Sequence, residues 1–299
     1  MQLILTLIGK PGELTNERVE VMRHALGDSG AGPLAPAAWL AEGEACEILL
    51  PGGAIDAMRA IAAQVAAQVR LDAVVQPSGD RRKRMLIADM DSTVITCECI
   101  DEIADAVGLK PKIAAITERA MRGEIAFEPA LKERVALLKG LPVGALEEVY
   151  RDRVRLAPGA KTLVATMRSA GAHTALVSGG FTFFTARVAA LAGFAFSQGN
   201  TLEVESGRLT GRVAEPILGR DAKREALIAQ ARAHGIDLAE TLAVGDGAND
   251  LDMIREAGLG VAFHAKPKVR EAAPAAILHA DLTALLFIQG YRRKEFVDA

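Results

Sequence analysis

The chain of 299 residues has little aromatic content, with one Trp, two Tyr and nine Phe, and only three cysteines. Three cysteines rule out a disulfide scaffold. Cys97 and Cys99 have no other Cys or His close by in sequence, so a zinc site is not expected either. Reduced thiols and a cytoplasmic location are the expectation. An excess of one charge is also missing: 35 Lys and Arg face 38 Asp and Glu, a formal net charge of −3. A general nucleic-acid binder, or a protein held on a membrane by basic residues, would be more basic, so neither partner is expected. No apolar run reaches the roughly 18 residues of a membrane span. The run Leu3 to Ile8 stops at Lys10, Pro11 and Gly12 with no basic region before it, and does not read as a signal peptide. What the chain has is apolar residues, 50% of the total, and a length that suggests two domains.

The first 80 residues read as a small unit of strand, helix, strand, strand, helix, strand. Gln2 to Ile8 is a strand; Thr15 to Leu26 is a helix with Thr15 as its N-cap. Ala37 to Ala41 and Cys46 to Leu50 are short strands. Ile55 to Val69 is a helix carrying Met58, Ile61, Val65 and Val69 at helical spacing, and Leu71 to Val75 is the last strand. This is the split βαβ, ferredoxin-like order. Pro77 to Asp80 and the basic run Arg81 to Arg84 read as a solvated hinge.

From Met85 the pattern becomes continuous apolar runs separated by helical stretches. The runs Met85 to Ala88, Thr174 to Val177 and Thr241 to Val244 end at Asp89, Ser178 and Gly245, and Leu259 to Phe263 and Ala275 to Leu278 are further candidates. Ala160 to Ala170, Ala222 to Ala233 and Asp250 to Ala257 are helical. The alternation predicts an α/β core built on a parallel sheet covered on both faces. Its chemistry belongs at the C-terminal ends of the strands. About sixty helical residues between Asp91 and Pro158 interrupt it, with stripes at Ile100, Ile103, Ala104 and Val107 and at Leu131, Val135 and Leu138; they read as an inserted cap. Phe194 to Pro216 reads as a β-hairpin.

Two carboxylates close the first buried strand in Asp89-Met90-Asp91-Ser92-Thr93, and two more follow another in Gly245-Asp246-Gly247-Ala248-Asn249-Asp250. Either motif alone is readable as a turn. Together, carboxylates gathered in one crevice repel unless a cation binds, and hard oxygen ligands suit Mg²⁺. Ser178-Gly179-Gly180 offers a hydroxyl and flexible backbone N–H groups of the kind that hold phosphate. Lys223, in a helical segment after Gly219-Arg220-Asp221, reads by itself as a surface residue.

These four elements, in this order and over Met85 to Gln289, resemble the haloacid dehalogenase superfamily of phosphatases. The resemblance narrows to the phosphoserine phosphatase family over DMDSTVITCECIDEIA (Asp89 to Ala104), MRGEIAFEPALKERVALLKGLP (Met121 to Pro142), LVSGGF (Leu176 to Phe181) and VGDGANDLDMI (Val244 to Ile254). It implies a Rossmann-like core at 80–96 and 156–299, a helical cap at 97–155 and, at 1–79, an ACT-like ferredoxin-fold domain. It implies hydrolysis of O-phospho-L-serine, the last step of serine biosynthesis, with Asp89 as nucleophile and Asp91 as general acid and base. Metal ligands would be Asp89, Asp246 and the main-chain carbonyl of Asp91, with Asp250 orienting the metal's waters. Ser178, Gly179, Lys223 and Asn249 would hold the phosphoryl group, and Glu98, just inside the first cap helix, with Phe127 and Arg134, would read the amino-acid end. Phe127 and Arg134 stand seven apart, almost two helical turns, and so share a face. Another small phosphate such as phosphohomoserine is the rival substrate, and a serine-sensing regulatory protein the rival class. All of the proposed chemistry follows Met85, so residues 1–79 are expected to serve dimerisation or regulation.

Overall fold

The computed structural model describes residues 2–32, 34–121 and 124–298. Arg122 and Gly123 of the cap motif therefore lie outside the described residues. The chain opens with β1 (Leu3–Ile8), α1 (Asn16–Leu26), β2 (Ala38–Ala41), β3 (Ala45–Leu50), α2 (Ile55–Val69) and β4 (Asp72–Pro77). The Thr15 hydroxyl accepts from Arg18 N and starts α1. The antiparallel sheet has the order β2-β3-β1-β4, the ferredoxin-like arrangement. Strand alternation sends Leu3, Leu5 and Leu7 toward α1 and α2, where they bury with Met22, Ile48 and Met58. Ile8, Ala45 and Val74 belong instead to the core of the rest of the chain. Both faces of this small sheet are thus covered.

A buried carboxylate fixes the junction. Asp72, at the start of β4, accepts from the main-chain N–H groups of Leu278 at 2.7 Å, His279 at 3.1 Å and Ala280 at 2.8 Å. The basic run keeps Arg82 and Arg84 exposed, as a solvated hinge does, yet each of its side chains finds a partner. Arg81 pairs with Glu47, Arg82 pairs with Glu295 at 2.6 Å while lying over Tyr291, Lys83 donates to Ala239 O at 2.8 Å, and Arg84 pairs with Glu240 at 2.9 Å. The folded partners of these four side chains lie far off in sequence, so local composition could not reveal them.

Beyond this come β5 (Met85–Ala88), α3 (Cys99–Ala106), α4 (Lys110–Met121), α5 (Phe127–Ala136), α6 (Val143–Arg153) and α7 (Ala160–Ser169). They are followed by β6 (His173–Phe181), α8 (Thr182–Ala192), β7 (Phe196–Asn200), β8 (Leu202–Glu205), β9 (Arg208–Val213) and α9 (Arg220–Ala233). The chain ends with β10 (Thr241–Gly245), α10 (Leu251–Glu256), β11 (Leu259–Phe263), α11 (Pro267–Ala272), β12 (Ala275–Ile277) and α12 (Ala284–Phe287). Six strands form one parallel sheet in the order β12-β11-β10-β5-β6-β7. Its central strands are buried along their whole length because helices cover both faces. Met85 and Ile87 pack with Leu227 and Ala231 of α9; Leu86 and Ala88 face the other layer with Leu163, Met167 and Leu285.

Four helices, α3 to α6, stand between β5 and α7. Ile103, Ala104, Leu131, Val135, Leu138, Leu146 and Val149 bury together among them. The chain enters and leaves this helical group through paired segments: Ala157 N donates to Val94 O at 2.8 Å and Thr96 N to Arg155 O at 3.0 Å. Phe194 to Pro216 is not one hairpin. Only β8 and β9 pair that way, while β7 joins the parallel sheet as its edge, with Ala175 opposite Phe196. The polar run Ser197 to Asn200 hides a strand that lies at an edge and needs few apolar residues. Among the described residues no helix is long and apolar enough to cross a membrane.

Removing the Asp72 carboxylate orphans three main-chain donors at the junction. Asp72→Ala is expected to lower the unfolding free energy by about 3 kcal/mol, measured by urea denaturation. A loss below about 0.5 kcal/mol would show that the junction does not depend on this carboxylate.

Candidate active site

Strand register assembles the site. Ala88 of β5 pairs with Val244 of β10 and with Leu176 of β6. Asp89 therefore sits level with Gly245 and Val177, and Asp246 and Ser178 come one residue later at the open end of the sheet. Each strand is buried, so the first polar residue after it stands where the helices no longer cover the crevice.

Lys223 projects from the first turns of α9 into this crevice and is 1% exposed. The surface reading of this lysine from sequence alone is thereby overturned. Its Nζ donates to Asp250 Oδ1 at 2.6 Å and lies 2.6 Å from Asp89 Oδ1. The approach to Asp89 misses hydrogen-bond alignment, so that buried oxygen is held by charge and has no hydrogen bond of its own. Burial works against the lysine's charge, but the carboxylates of Asp250 and Asp89 more than offset it and raise its pKa. Asp89 is pushed well up, first by burial and next by Asp250, against the downward pull of Lys223. Asp246 is pushed up to about 6 by the same pair of causes, burial and then Asp250. One oxygen each of Asp89, Asp246 and Asp250 lies within 4.8 Å of the others. One ammonium among three carboxylates leaves negative charge in excess. The set of hard oxygens, one of them without a hydrogen bond, fits a divalent cation.

Asp91 is the neighbour of this cluster. Its Oδ1 accepts from Cys99 N at 2.9 Å and its Oδ2 from the Ser178 hydroxyl at 3.2 Å. Burial raises its pKa while the Cys99 bond opposes the rise. Ser178 Oγ accepts in turn from Gly180 N at 2.9 Å. Contact crowds both glycines: a Cβ on Gly180 would stand 2.7 Å from Asp91 Oδ2 and force a shift, and one on Gly179 would stand a tight 3.1 Å from Phe127 Cζ. Gly245 is crowded likewise, since its Cβ would lie 2.4 Å from Asp250 Cγ. Asn249 folds its Oδ1 back over Gly247.

Glu98 precedes α3 rather than lying inside it. Its carboxylate is exposed at one edge and accepts from the Ser92 hydroxyl at 2.6 Å. Crowding by protein, then the Asp91 charge, pushes it up to about 7. Ser92 holds a left-handed backbone, φ 56°, to present that hydroxyl. Phe127 and Arg134 share α5. Arg134 is half-buried, with Nε on Ala130 O at 3.2 Å, and among the described residues no carboxylate lies within 4 Å of it. Burial lowers its pKa, and the nearby charges of Asp101 and Glu98 oppose that fall. The structure thus brings Asp89, Asp91, Ser178, Lys223, Asp246 and Asp250 into one cluster, sets Glu98 and Phe127 at its edge, and leaves Arg134 without direct contact to it.

Thr93 has no role of its own in the sequence motif that contains it, and Asn200 escapes the sequence reading altogether. Thr93 donates from Oγ1 to Asp246 Oδ1 over a long 3.4 Å. Asn200, buried at the end of β7, donates to Gly179 O at 2.8 Å and to Leu218 O at 3.1 Å, and accepts from Leu218 N at 2.7 Å. It ties the Ser178 loop to the segment that leads into α9 and Lys223. The only sequence signal for it is a polar residue closing a short strand, a weak one.

The haloacid dehalogenase-like hydrolase family is matched over residues 86–255, more than half of the chain, and the chain belongs to that family. Within it, the chain is 50% identical over 208 residues to a phosphoserine phosphatase from Polaromonas sp., covering 68% of this chain and 88% of that protein. It is 46% identical to a phosphoserine phosphatase from Archaeoglobus fulgidus, covering 74% of this chain and 64% of that longer protein. The crystal structure of a haloacid dehalogenase family hydrolase from Salmonella enterica serovar Typhi matches with a TM-score of 0.86 at 31% identity, covering 96% of this chain and 98% of that one. Phosphatases of this family generally use a divalent metal, and the three-aspartate cluster is where this chain can hold one.

Asn200→Ala would leave one main-chain donor and two acceptors without their partner. It is expected to cost about 2 kcal/mol of stability, read by chemical denaturation. An unchanged midpoint would mean that the loop is held elsewhere.

Proposed function

We propose that the chain hydrolyses O-phospho-L-serine to L-serine and phosphate through an aspartyl-phosphate on Asp89. The observation that carries this is the buried triad of Lys223, Asp89 and Asp250 beside the Asp91–Ser178 pair. It supplies a carboxylate nucleophile, an acid two residues away and donors for phosphoryl oxygens in one crevice. The division supporting it is a core at 80–96 and 156–299, a cap at 97–155 and an N-terminal unit at 1–79.

An Asp89 oxygen attacks phosphorus, and the bond from phosphorus to the serine oxygen breaks. Asp91 gives that oxygen its proton. Asp91 then takes a proton from water, whose oxygen attacks phosphorus and releases Asp89. Ser178, Gly179 and Lys223 hold phosphoryl oxygens through the transfer, with Asn249 near them. Asp89, Asp246 and the main-chain carbonyl of Asp91 would hold Mg²⁺, with Asp250 orienting its waters. When bound, the ion neutralises the carboxylates and draws charge from the phosphoryl group. Glu98 pairs with the substrate ammonium, and the fork of Arg134, which meets no carboxylate among the described residues, takes the substrate carboxylate. Phe127, packed over Gly179, closes the pocket against water. The N-terminal unit serves dimerisation or regulation. A reducing, cytoplasmic setting suits three cysteines that are all free.

Asp89→Asn keeps the shape and loses the nucleophile. Turnover is expected to fall by at least about 10⁴-fold with the fold intact; substantial steady turnover in folded, non-deamidated protein contradicts the assignment. Specificity is tested by kcat/KM for phosphoserine against a generic aryl phosphate. Arg134→Ala and Glu98→Gln are each expected to lower the phosphoserine value by about 100-fold and the aryl value far less. Equal losses would assign these residues to the fold or the chemical step instead. Chelation of divalent metal is expected to abolish phosphate release and added Mg²⁺ to restore it; undiminished activity in metal-free protein would contradict the charge argument.

A further inference from the structure

A second cavity, of about 680 Å³, opens where the N-terminal sheet meets the core. Asp89, Asp91, Ser178, Lys223 and Asp246 do not line it. Its walls come from the β1–α1 loop at Lys10, the segment after β12 at His279, the end of β11 at His264, and the loop after Asp91 at Ser92 and Thr93. The carboxylates that reach it are engaged: Glu44 pairs with Arg293, and Asp281 accepts from both the main-chain N–H and the hydroxyl of Thr283.

Of the basic side chains on the wall, Arg293 is taken up by Glu44, while Lys10 is not engaged among the described residues. Lys10 is exposed, and among the described residues no carboxylate lies within 4 Å of its ammonium. His279 is held through its main-chain N–H on Asp72, while its ring makes no hydrogen bond among the described residues. His264 lies flat on Phe263, ring centres 4.0 Å apart, with Nε2 bonded to Ala280 O at 2.8 Å. Apolar wall is supplied by Ile8, Ile95 and Phe263. A cleft of this size, apolar with a few uncommitted donors, has the character of a small-molecule site.

One wall is shared with the active site. The loop behind this wall carries Ser92, half-buried, and Thr93, fully buried, whose hydroxyls donate to Glu98 and, over a long 3.4 Å, to Asp246. A ligand that favours one setting of this loop shifts those two carboxylates with it.

We propose that this cleft binds an organic anion with an apolar body, and that its occupancy changes turnover through the Ser92–Thr93 loop. The binding half stands on the cleft alone; the turnover half rests on the phosphatase reading above. The probes are 8-anilinonaphthalene-1-sulfonate and its uncharged counterpart N-phenyl-1-naphthylamine, titrated by fluorescence into the full chain and into Lys10→Glu, a change at an exposed residue outside the catalytic machinery. The sulfonate is expected to bind the native chain saturably and at least 10-fold more weakly to Lys10→Glu, while the uncharged probe binds both alike. At saturating sulfonate, phosphoserine turnover is expected to change at least twofold in the native chain and to stay constant in the variant. Equal sulfonate affinity in the two proteins, or no saturable binding, overturns the site. Binding that depends on Lys10 with turnover unmoved overturns the coupling. Binding that depends on Lys10 in a chain without phosphatase activity overturns the phosphatase reading and leaves the site standing.

Discussion

The ammonium of Lys223, buried between Asp89 and Asp250, is the interaction on which the rest of the site depends. A lone charge in such a place would be neutralised or expelled, because its desolvation is large. Two carboxylates at 2.6 Å make it tenable, and it makes them tenable in return. It does not satisfy them fully, since Asp246 is a third carboxylate beside the same cation. The excess of negative charge is what gives the crevice its appetite for a divalent ion and keeps it from being a settled salt bridge. Breaking one partner of such a set is far more damaging than never having had it. The strand register, the glycines at 179, 180 and 245, and the Asn200 brace all hold this one arrangement in place.

The same economy of buried polar groups joins the two sheets. Asp72 takes three main-chain donors from the segment after β12, and the far face of the N-terminal sheet buries Ile8 and Val74 in the main core. The N-terminal unit is therefore packed against the phosphatase core and not merely tethered to it. That packing makes a second cleft whose wall is also the loop behind Glu98 and Asp246. The proposed regulatory role for residues 1–79 would run through that loop.

Much of this is legible in the chain before folding. Buried parallel strands are continuous apolar runs, so Met85 to Ala88 and Thr241 to Val244 announce both the sheet and the polar residues that follow them. The first six elements are readable because alternation and helical spacing are local signals. The remainder depends on distant partners. Lys223 looks like any helical lysine until Asp89 and Asp250 arrive from other strands. Nothing near Arg81, Arg82 and Arg84 in sequence announces their partners Glu47, Glu295 and Glu240. β7 is a polar edge strand, and Asn200 at its end acts through two segments remote from it in sequence. Glu98 stands at the N-cap of α3 and not just inside it, a one-residue difference at a helix end that leaves it beside the site, as its motif implies.

The central claim is that Asp89 carries the phosphoryl group between the two halves of the reaction. Phosphoserine labelled in its phosphate, mixed with the enzyme and Mg²⁺ and quenched in acid within the first turnover, tests it directly. Peptide mapping of the trapped protein is predicted to place the label on Asp89 as an acid-stable acyl phosphate that is lost in alkali or hydroxylamine. Label on Ser178 or on a histidine, or full turnover with no protein-bound label at any quench time, would contradict the account.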